Sequence, residues 1–174
     1  MPPQSQQDQL DLDLDKAEQG YRGPQVCKIV GISYRQLDYW ARTSLVSPSV
    51  QPAQGSGSQR LYSFQDLLEL KLIKNLLDAG ISLQRVREAI DHLHALGHDL
   101  SGVTVASDGS SVYAYTSPQE VFDLLKRGQG VFAIAVDPVM KELEGSVSAL
   151  RREEANEHQP AVADSKTPKA LAEE

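Results

Sequence analysis

The sequence predicts a mainly α-helical fold that ends in a small α+β unit. Between residues 24 and 96, apolar side chains recur at helical spacing in four separate segments. A serine precedes three of these segments and a glycine follows three of them, as is typical of capped helices. After residue 96, short β-rich runs replace the helical pattern. With 174 residues, 40% of them hydrophobic, the chain is long enough for one ordinary domain or two small ones.

The first two helices are short and lie close together in the chain. One is predicted over residues 24–30 and ends at Gly31. The other is predicted over about 34–43, because Ser33 can accept hydrogen bonds from backbone N–H groups of its first turn. This pair joined by a tight turn is typical of a helix-turn-helix.

Two short strands are predicted after the second helix. They cover residues 45–50 and 58–62, and the loop between them contains Pro52, Gly55 and Gly57. A two-stranded ribbon in this position is the wing of a winged helix-turn-helix domain. We refer to residues 45–62 as the wing.

Two longer helices complete the first unit. The third is predicted over about 64–79, with Ser63 as its cap and apolar residues on more than one side, so we expect it to be buried as the spine of the domain. The fourth is predicted over about 83–96, with Ser82 as its cap and one apolar face.

The rest of the chain predicts a small α+β domain over residues 97–150. Strands are expected at 103–106 and 112–116 around an Asp108-Gly109 turn. A helix is expected from Ser117 to about Arg127, a fully apolar strand at 131–136 and a last helix at about 139–149. Such a small unit is marginally stable alone, so we expect it to pack on the first domain or on a second copy.

Charge is distributed unevenly along the chain. The net charge is −7, yet residues 21–62 carry five basic side chains and only Asp38 as an acid. A local basic patch in an acidic chain is the electrostatic footprint of a DNA-binding protein. Residues 1–20 and 151–174 are predicted to be disordered tails, the first of them acidic, which leaves a first domain at 21–96.

Several classes of protein are excluded or disfavoured by composition. No stretch approaches the roughly 18 apolar residues of a membrane span, and no secretory signal is visible. A single cysteine, Cys27, excludes an internal disulfide framework and a zinc site of several cysteines; we expect it to lie in the core, with redox sensing as the alternative. His94 and His98 are not expected to bind metal because Gly97 separates them. Without a catalytic arrangement or cofactor motif, we expect a cytoplasmic protein that is not an enzyme and needs no cofactor.

The second helix has a polar face suited to DNA. Arg35, Asp38, Tyr39 and Arg42 share that face, whereas Trp40 lies with Leu37 on the opposite side and is expected in the core. Arginine can pair with the O6 and N7 atoms of guanine, and tyrosine can contact the sugar–phosphate backbone. On the wing, Arg60 and Tyr62 are expected to grip the adjacent backbone.

These segments resemble the MerR family of transcriptional regulators. The resemblance covers residues 21–90, and four stretches carry it: 31–40 (GISYRQLDYW), 45–48 (LVSP), 59–67 (QRLYSFQDL) and 79–83 (AGISL). Tyr39-Trp40 taken with residues 59–67, together with residues 128–131 (GQGV), is most similar to actinobacterial members, some of which are linked to growth and cell division. The resemblance implies a homodimer that binds an inverted repeat in double-stranded promoter DNA and distorts it for RNA polymerase, which associates the protein with the nucleoid. The residues expected to contact DNA are Lys28, Ser33, Tyr34, Arg35, Gln36, Tyr39, Arg42, Arg60 and Tyr62.

Three departures from the family pattern bear on this expectation. The family commonly has arginine in place of Asp38 and tyrosine in place of Trp40. Asp38 is expected either to accept a hydrogen bond from a cytosine amino group or to hold Arg35 or Arg42 in position. The family's long dimerisation helix is missing after Gly97, so a dimer is expected to form through helix 64–79, through the C-terminal domain or only on DNA.

Two other functions and one further pattern complete the expectations. The same fold suits an architectural, excisionase-like DNA-bending protein or a protein-interaction module. Tyr113 and Tyr115 share one strand face and are expected to pack there rather than to line a ligand pocket. Phe132, Ile134 and Val136 are expected in the core.

Overall fold

The computed structural model describes residues 20–54, 59–97, 100–108, 111–117 and 132–157. This part of the chain is mainly helical, with one pair of very short strands and one three-stranded sheet. In chain order the elements are β1 (Tyr21–Arg22), α1 (Gly23–Val30), α2 (Tyr34–Arg42), β2 (Leu61–Tyr62), α3 (Phe64–Asp78), α4 (Leu83–Leu96), β3 (Thr104–Ser107), β4 (Val112–Tyr115), β5 (Phe132–Ala135) and α5 (Val136–Glu157).

Local capping defines the helix-turn-helix formed by α1 and α2. Helix α1 ends at Gly31, whose φ of 78° is left-handed and therefore suits glycine. At the start of α2 the Ser33 hydroxyl accepts the N–H of Gln36, and the Gln36 side chain accepts the N–H of Ser33 at 2.9 Å. This reciprocal capping box satisfies two backbone donors and confirms the predicted start of α2.

The first predicted wing strand is wrong. Residues 45–50 form bends and irregular backbone, and β2 pairs instead with β1, through Tyr21 opposite Tyr62. The buried carboxylate of Asp66 accepts hydrogen bonds from the N–H and the hydroxyl of Ser49, at 2.8 and 2.9 Å. Because a side chain uses this backbone donor, it is not available to a strand ladder. The next two residues, Val50 and Gln51, donate to the carbonyl oxygen of Leu61, and Gln51 forms an isolated antiparallel bridge with Leu61.

Helix α3 is the buried spine that the sequence predicts, and α4 packs along it. The Ser63 hydroxyl caps α3 by accepting the N–H of Asp66 at 3.1 Å. Ser82 occupies the N-cap position of α4, as predicted, but its side chain makes no capping hydrogen bond. Helix α4 nevertheless occupies Leu83–Leu96, as its apolar spacing predicts.

The C-terminal sheet has the strand order β4-β3-β5, with both edge strands antiparallel to the central β3. The strand predicted at 131–136 is shorter in the structure, where β5 covers Phe132–Ala135 and Val136 already starts α5. Val131 lies outside the described residues. So does the helix predicted from Ser117 to Arg127, except for Ser117 itself. Val136 is buried and Ile134 partly buried, but Phe132 is 38% exposed, which corrects its assignment to the core. Tyr113 is 39% exposed, and its ring lies 6.1 Å from that of Tyr115 on the same strand face.

Helix α5 is twice as long as expected and returns to the first helices of the chain. It covers Val136–Glu157, which includes the first residues of the predicted C-terminal tail. Its buried residues lie on the side that packs against α1 and α3: Val136, Val139, Leu143, Val147 and Leu150. In the part of the chain that the structure describes, no helix is long and apolar enough to cross a membrane.

Candidate nucleic-acid interface

The predicted face of α2 is exposed to solvent. Tyr34 is 63% exposed and Tyr39 47% exposed. The other exposed residues at the start and along this face are Ser33, Arg35, Gln36 and Arg42. On the opposite side Leu37 and Trp40 are buried, as predicted. A helix with a packed back and an exposed Arg and Tyr front can enter a major groove without disturbing the core.

Asp38 joins this face to the chain just before β2. Its Oδ1 atom accepts a hydrogen bond from Nη1 of Arg60 at 2.9 Å, and its Oδ2 atom lies 2.8 Å from Nη2 of Arg42. The hydrogen bond from Arg60, aided by the charge of Arg42, holds the pKa of Asp38 below its ordinary value. Asp38 is therefore a negative charge paired with two cations. The sequence predicts that Asp38 contacts either a cytosine or one of two arginines, Arg35 and Arg42. In the structure its arginine partners are Arg42 and, in addition, Arg60.

Tyr62 is in a different position from the one predicted. It was expected to grip DNA from the wing, but its side chain is fully buried in the core. This burial raises the pKa of the phenol. Sequence reasoning failed here because β1, which pairs with β2 and covers Tyr62, has only two residues and no recognisable pattern of its own.

A cleft of about 510 Å³ separates α2 from the segment around Arg60. Its polar lining brings together side chains that are far apart in sequence: Arg22, Tyr34, Asp38, Gln59 and Arg60. Arg22 precedes α1 and was not among the predicted contacts, although it belongs to the basic patch that the sequence shows. Two guanidinium groups beside an exposed tyrosine suit the negatively charged sugar–phosphate backbone.

Arg87 is a second residue that sequence reasoning missed. From α4 it donates to the carbonyl oxygen of Thr43 at 2.9 Å and to the Thr43 hydroxyl at 2.7 Å. That hydroxyl in turn donates to the carbonyl oxygen of Tyr39 at 2.8 Å. Arg87 thus fixes the end of α2 against α4. Nothing in the spacing of α4 marks Arg87, because its partner lies 44 positions earlier in the chain.

Lys28 is exposed on α1 but already has a partner. Its ammonium group forms an ion pair with Glu153 of α5, which raises the pKa of Lys28. One residue further along α5, Glu154 accepts a hydrogen bond from the Gln25 amide at 2.8 Å. Lys28 is one of the predicted DNA contacts, and its positive charge is offset by Glu153.

Metal-ligating and nucleophilic side chains are the other candidates for ligand chemistry in the described part of the chain. Among them, no group of three or more His, Cys, Asp or Glu side chains is placed to hold a metal ion. Cys27 is partly buried against the core, and burial raises the pKa of its thiol. His94 lies 3.0 Å from Glu69, and His98 lies outside the described residues.

Comparison with known proteins agrees with this geometry. Residues 21–93 match the MerR HTH family regulatory proteins. They are a MerR-family helix-turn-helix region. The match spans β1 to α4, and so includes Asp38, Arg60 and the cleft.

Individual relatives show the same relationship. An uncharacterized HTH-type transcriptional regulator of Mycobacterium tuberculosis strain H37Rv is 59% identical over 138 residues, or 79% of this chain and 61% of that protein. A protein described in the same words from Mycobacterium bovis is equally similar. The HTH-type transcriptional regulator GlnR of Bacillus anthracis is 34% identical over 65 residues, or 37% of this chain and 47% of GlnR. This chain thus spans about 61% of the length of its mycobacterial relatives. The match to the MerR family lies within residues 21–93.

Proposed function

We propose that this chain is a sequence-specific regulator of transcription that binds double-stranded DNA through its MerR-type region. The observation that carries the proposal is the exposed row of Arg35, Tyr39 and Arg42 on α2, backed by buried Leu37 and Trp40. In this role α2 enters the major groove, and Arg22 and Arg60 in the cleft face the backbone of one strand. The relatives described above are HTH-type transcriptional regulators, which supports a regulator rather than an enzyme.

We further propose that a homodimer reads an inverted repeat in promoters and distorts the DNA for RNA polymerase, in the cytoplasm at the nucleoid. Genes for growth or cell division are the proposed targets. Helix α3 is buried within a single chain, which favours the C-terminal unit or assembly on DNA over α3 as the dimer interface. Two symmetric copies of α2 would then read two half-sites about one helical turn apart.

Selection from a random duplex library, using the purified full chain near physiological salt, tests this function. We expect enrichment of an inverted repeat and a steep fall of affinity as salt increases. Arg35→Ala should weaken binding and relax the preference at one base pair of each half-site. Lys141→Ala removes one exposed positive charge from α5 and should leave the selected sequence unchanged.

Three outcomes would contradict the proposal in different ways. Tight binding without any enriched sequence, combined with bending of the duplex, would indicate an architectural protein. Failure of any duplex to bind would indicate a protein-interaction module. An Arg35→Ala variant that selects the same site with the same affinity would show that α2 does not read the bases.

A further inference from the structure

We propose that Asp38 is a specificity-determining residue, which positions Arg42 and Arg60 for DNA by joining α2 to the segment before β2. This inference rests on the proposed function. It adds a role for Asp38, the only acidic residue in the basic segment 21–62. The carboxylate acts on DNA only through its two arginine partners, and is therefore a positioning group.

The geometry gives each carboxylate oxygen a separate partner. Oδ1 takes Arg60 at 2.9 Å and Oδ2 takes Arg42 at 2.8 Å, so a single side chain fixes two guanidinium groups that stand 18 positions apart in sequence. The side chains of Asp38 and Arg60 are 28% and 22% exposed, whereas that of Arg42 is 68% exposed. The Asp38–Arg60 pair is thus the more shielded one, and it joins two elements rather than two turns of one helix.

The difference in exposure assigns different tasks to the two arginines. Arg60 is held against α2 by Asp38 and lines the cleft between α2 and residues 59–60. Arg42 contacts Asp38, one turn earlier on α2, through one nitrogen. Most of its guanidinium group is therefore open to a phosphate or a base edge. The three side chains together carry one net positive charge, so Asp38 also limits indiscriminate attraction to phosphate.

Loss of the carboxylate should therefore raise the sequence-independent affinity for DNA and lower the discrimination between two duplexes. Without Asp38 the face gains one positive charge, and sequence-independent binding increases because more phosphate contacts become available. Base readout needs fixed side chains, so discrimination between the right and wrong sequence decreases once both arginines are free. A residue that only stabilised the fold would not raise one affinity while lowering the ratio of the two.

The test compares the full chain with its Asp38→Asn variant on the selected duplex and on a scrambled duplex of equal length. We expect Asp38→Asn to bind the scrambled duplex several-fold more tightly, with a slope of log K against log salt that is steeper by about one. The ratio of the two affinities should fall by about tenfold or more, as expected for loss of one base-specific contact. Asp78→Asn is the matched control, because it removes one carboxylate from a surface pair with Lys74. That variant should retain the wild-type ratio.

A second variant separates the bridge from the charge. Arg60→Gln breaks the same shielded contact but removes a positive charge, so it should lower the ratio while weakening binding to both duplexes. If the bridge acts as a unit, the Asp38→Asn/Arg60→Gln double variant should lose no more discrimination than either single variant. Thermal unfolding of all variants identifies any change that comes from loss of the fold.

The outcomes distinguish this inference from the proposed function. A wild-type chain that binds both duplexes equally contradicts the proposed function, and the inference falls with it. A selective wild-type chain whose Asp38→Asn variant keeps the full ratio overturns the inference alone. Equal loss of affinity for both duplexes in Asp38→Asn, or additive loss of discrimination in the double variant, also overturns it.

Discussion

Arg87 of α4 donates two hydrogen bonds to Thr43, the residue that follows the last turn of α2. The contact ties the candidate DNA-reading helix to the helix that leads into the C-terminal sheet. Arg87→Ala leaves the Thr43 carbonyl oxygen without its partner, and we expect the free energy of unfolding to fall by about 1–3 kcal/mol, as for a partly buried bond to a charged group. Chemical denaturation measures the change. Arg87→Lys, which keeps the charge but lacks the planar fork, should recover only part of the loss, and full recovery would contradict the geometric role.

The serines before α2 and α4 differ in a way that stability measurements can detect. The Ser33 hydroxyl accepts a backbone N–H, whereas the Ser82 side chain makes no capping hydrogen bond. We expect Ser33→Ala to lower the free energy of unfolding by about 1 kcal/mol and Ser82→Ala to have a clearly smaller effect. Equal effects in urea denaturation would show that the two caps are equivalent in solution.

The ion pair between Lys28 and Glu153 should restrain the contribution of Lys28 to DNA binding. Glu153→Gln removes the partner, so we expect tighter binding to any duplex and a salt slope that is steeper by up to about one. Because both side chains are more than half exposed, the thermal midpoint should change little. Glu142→Gln, which breaks the pair with Lys71 at 2.9 Å, is the control with the same charge change. If both variants bind DNA alike, the effect belongs to overall charge.

Packing of α5 on α1 and α3 should contribute strongly to stability. Leu143 is fully buried on the packed side of α5, so Leu143→Ala removes buried methyl groups and leaves a cavity. We expect a loss of about 2–5 kcal/mol in the free energy of unfolding. Leu96→Ala, at a leucine that is 46% exposed at the end of α4, should cost much less. A small effect at Leu143 would indicate that α5 leaves α1 and α3 in solution.

The stabilising effect of Asp38 should disappear in acid. Its pKa in the folded protein is lowered by the Arg60 hydrogen bond, so the carboxylate stabilises the fold fully above its ordinary, unfolded pKa. This stabilisation is lost as pH falls through the lower, folded pKa. We expect the stability difference between the wild-type chain and Asp38→Asn to be constant from about pH 5 to 7 and to shrink below about pH 4. A difference that stays constant down to about pH 2 would contradict this assignment.

Elements governed by local chemistry could be predicted from the sequence. The bounds of α1 to α4 follow from apolar spacing together with Ser33, Ser63 and the glycines that end the helices. The exposed face of α2 and the burial of Trp40 follow from the same periodicity. The strand pair β3–β4 follows from alternation around a short turn.

The features that sequence reasoning missed depend on contacts between distant residues. Within the segment 45–50, where a strand is predicted but absent, Asp66 takes the Ser49 backbone donor from 17 positions away. The role of Asp38 depends on Arg60, and nothing at position 38 indicates that partner. The end of α5 has the composition of a charged tail, so the sequence does not mark it as helix. In the structure Glu153 and Glu154 pair with Lys28 and Gln25 of α1, which lie far away in the chain.

Helix α5 also determines when the apolar surfaces of α1 and α3 can be covered during synthesis. About sixty residues separate the end of α4 from the end of α5, which takes roughly 3–12 s at a translation rate of about 5–20 residues per second. For the first part of that interval α1 and α3 have been made, but the apolar side chains of α5 that cover them have not. A ribosome-bound intermediate of this kind exposes a hydrophobic surface, so the nascent chain is a natural client for chaperones, and a helix-turn-helix fragment cut after α4 is prone to aggregate.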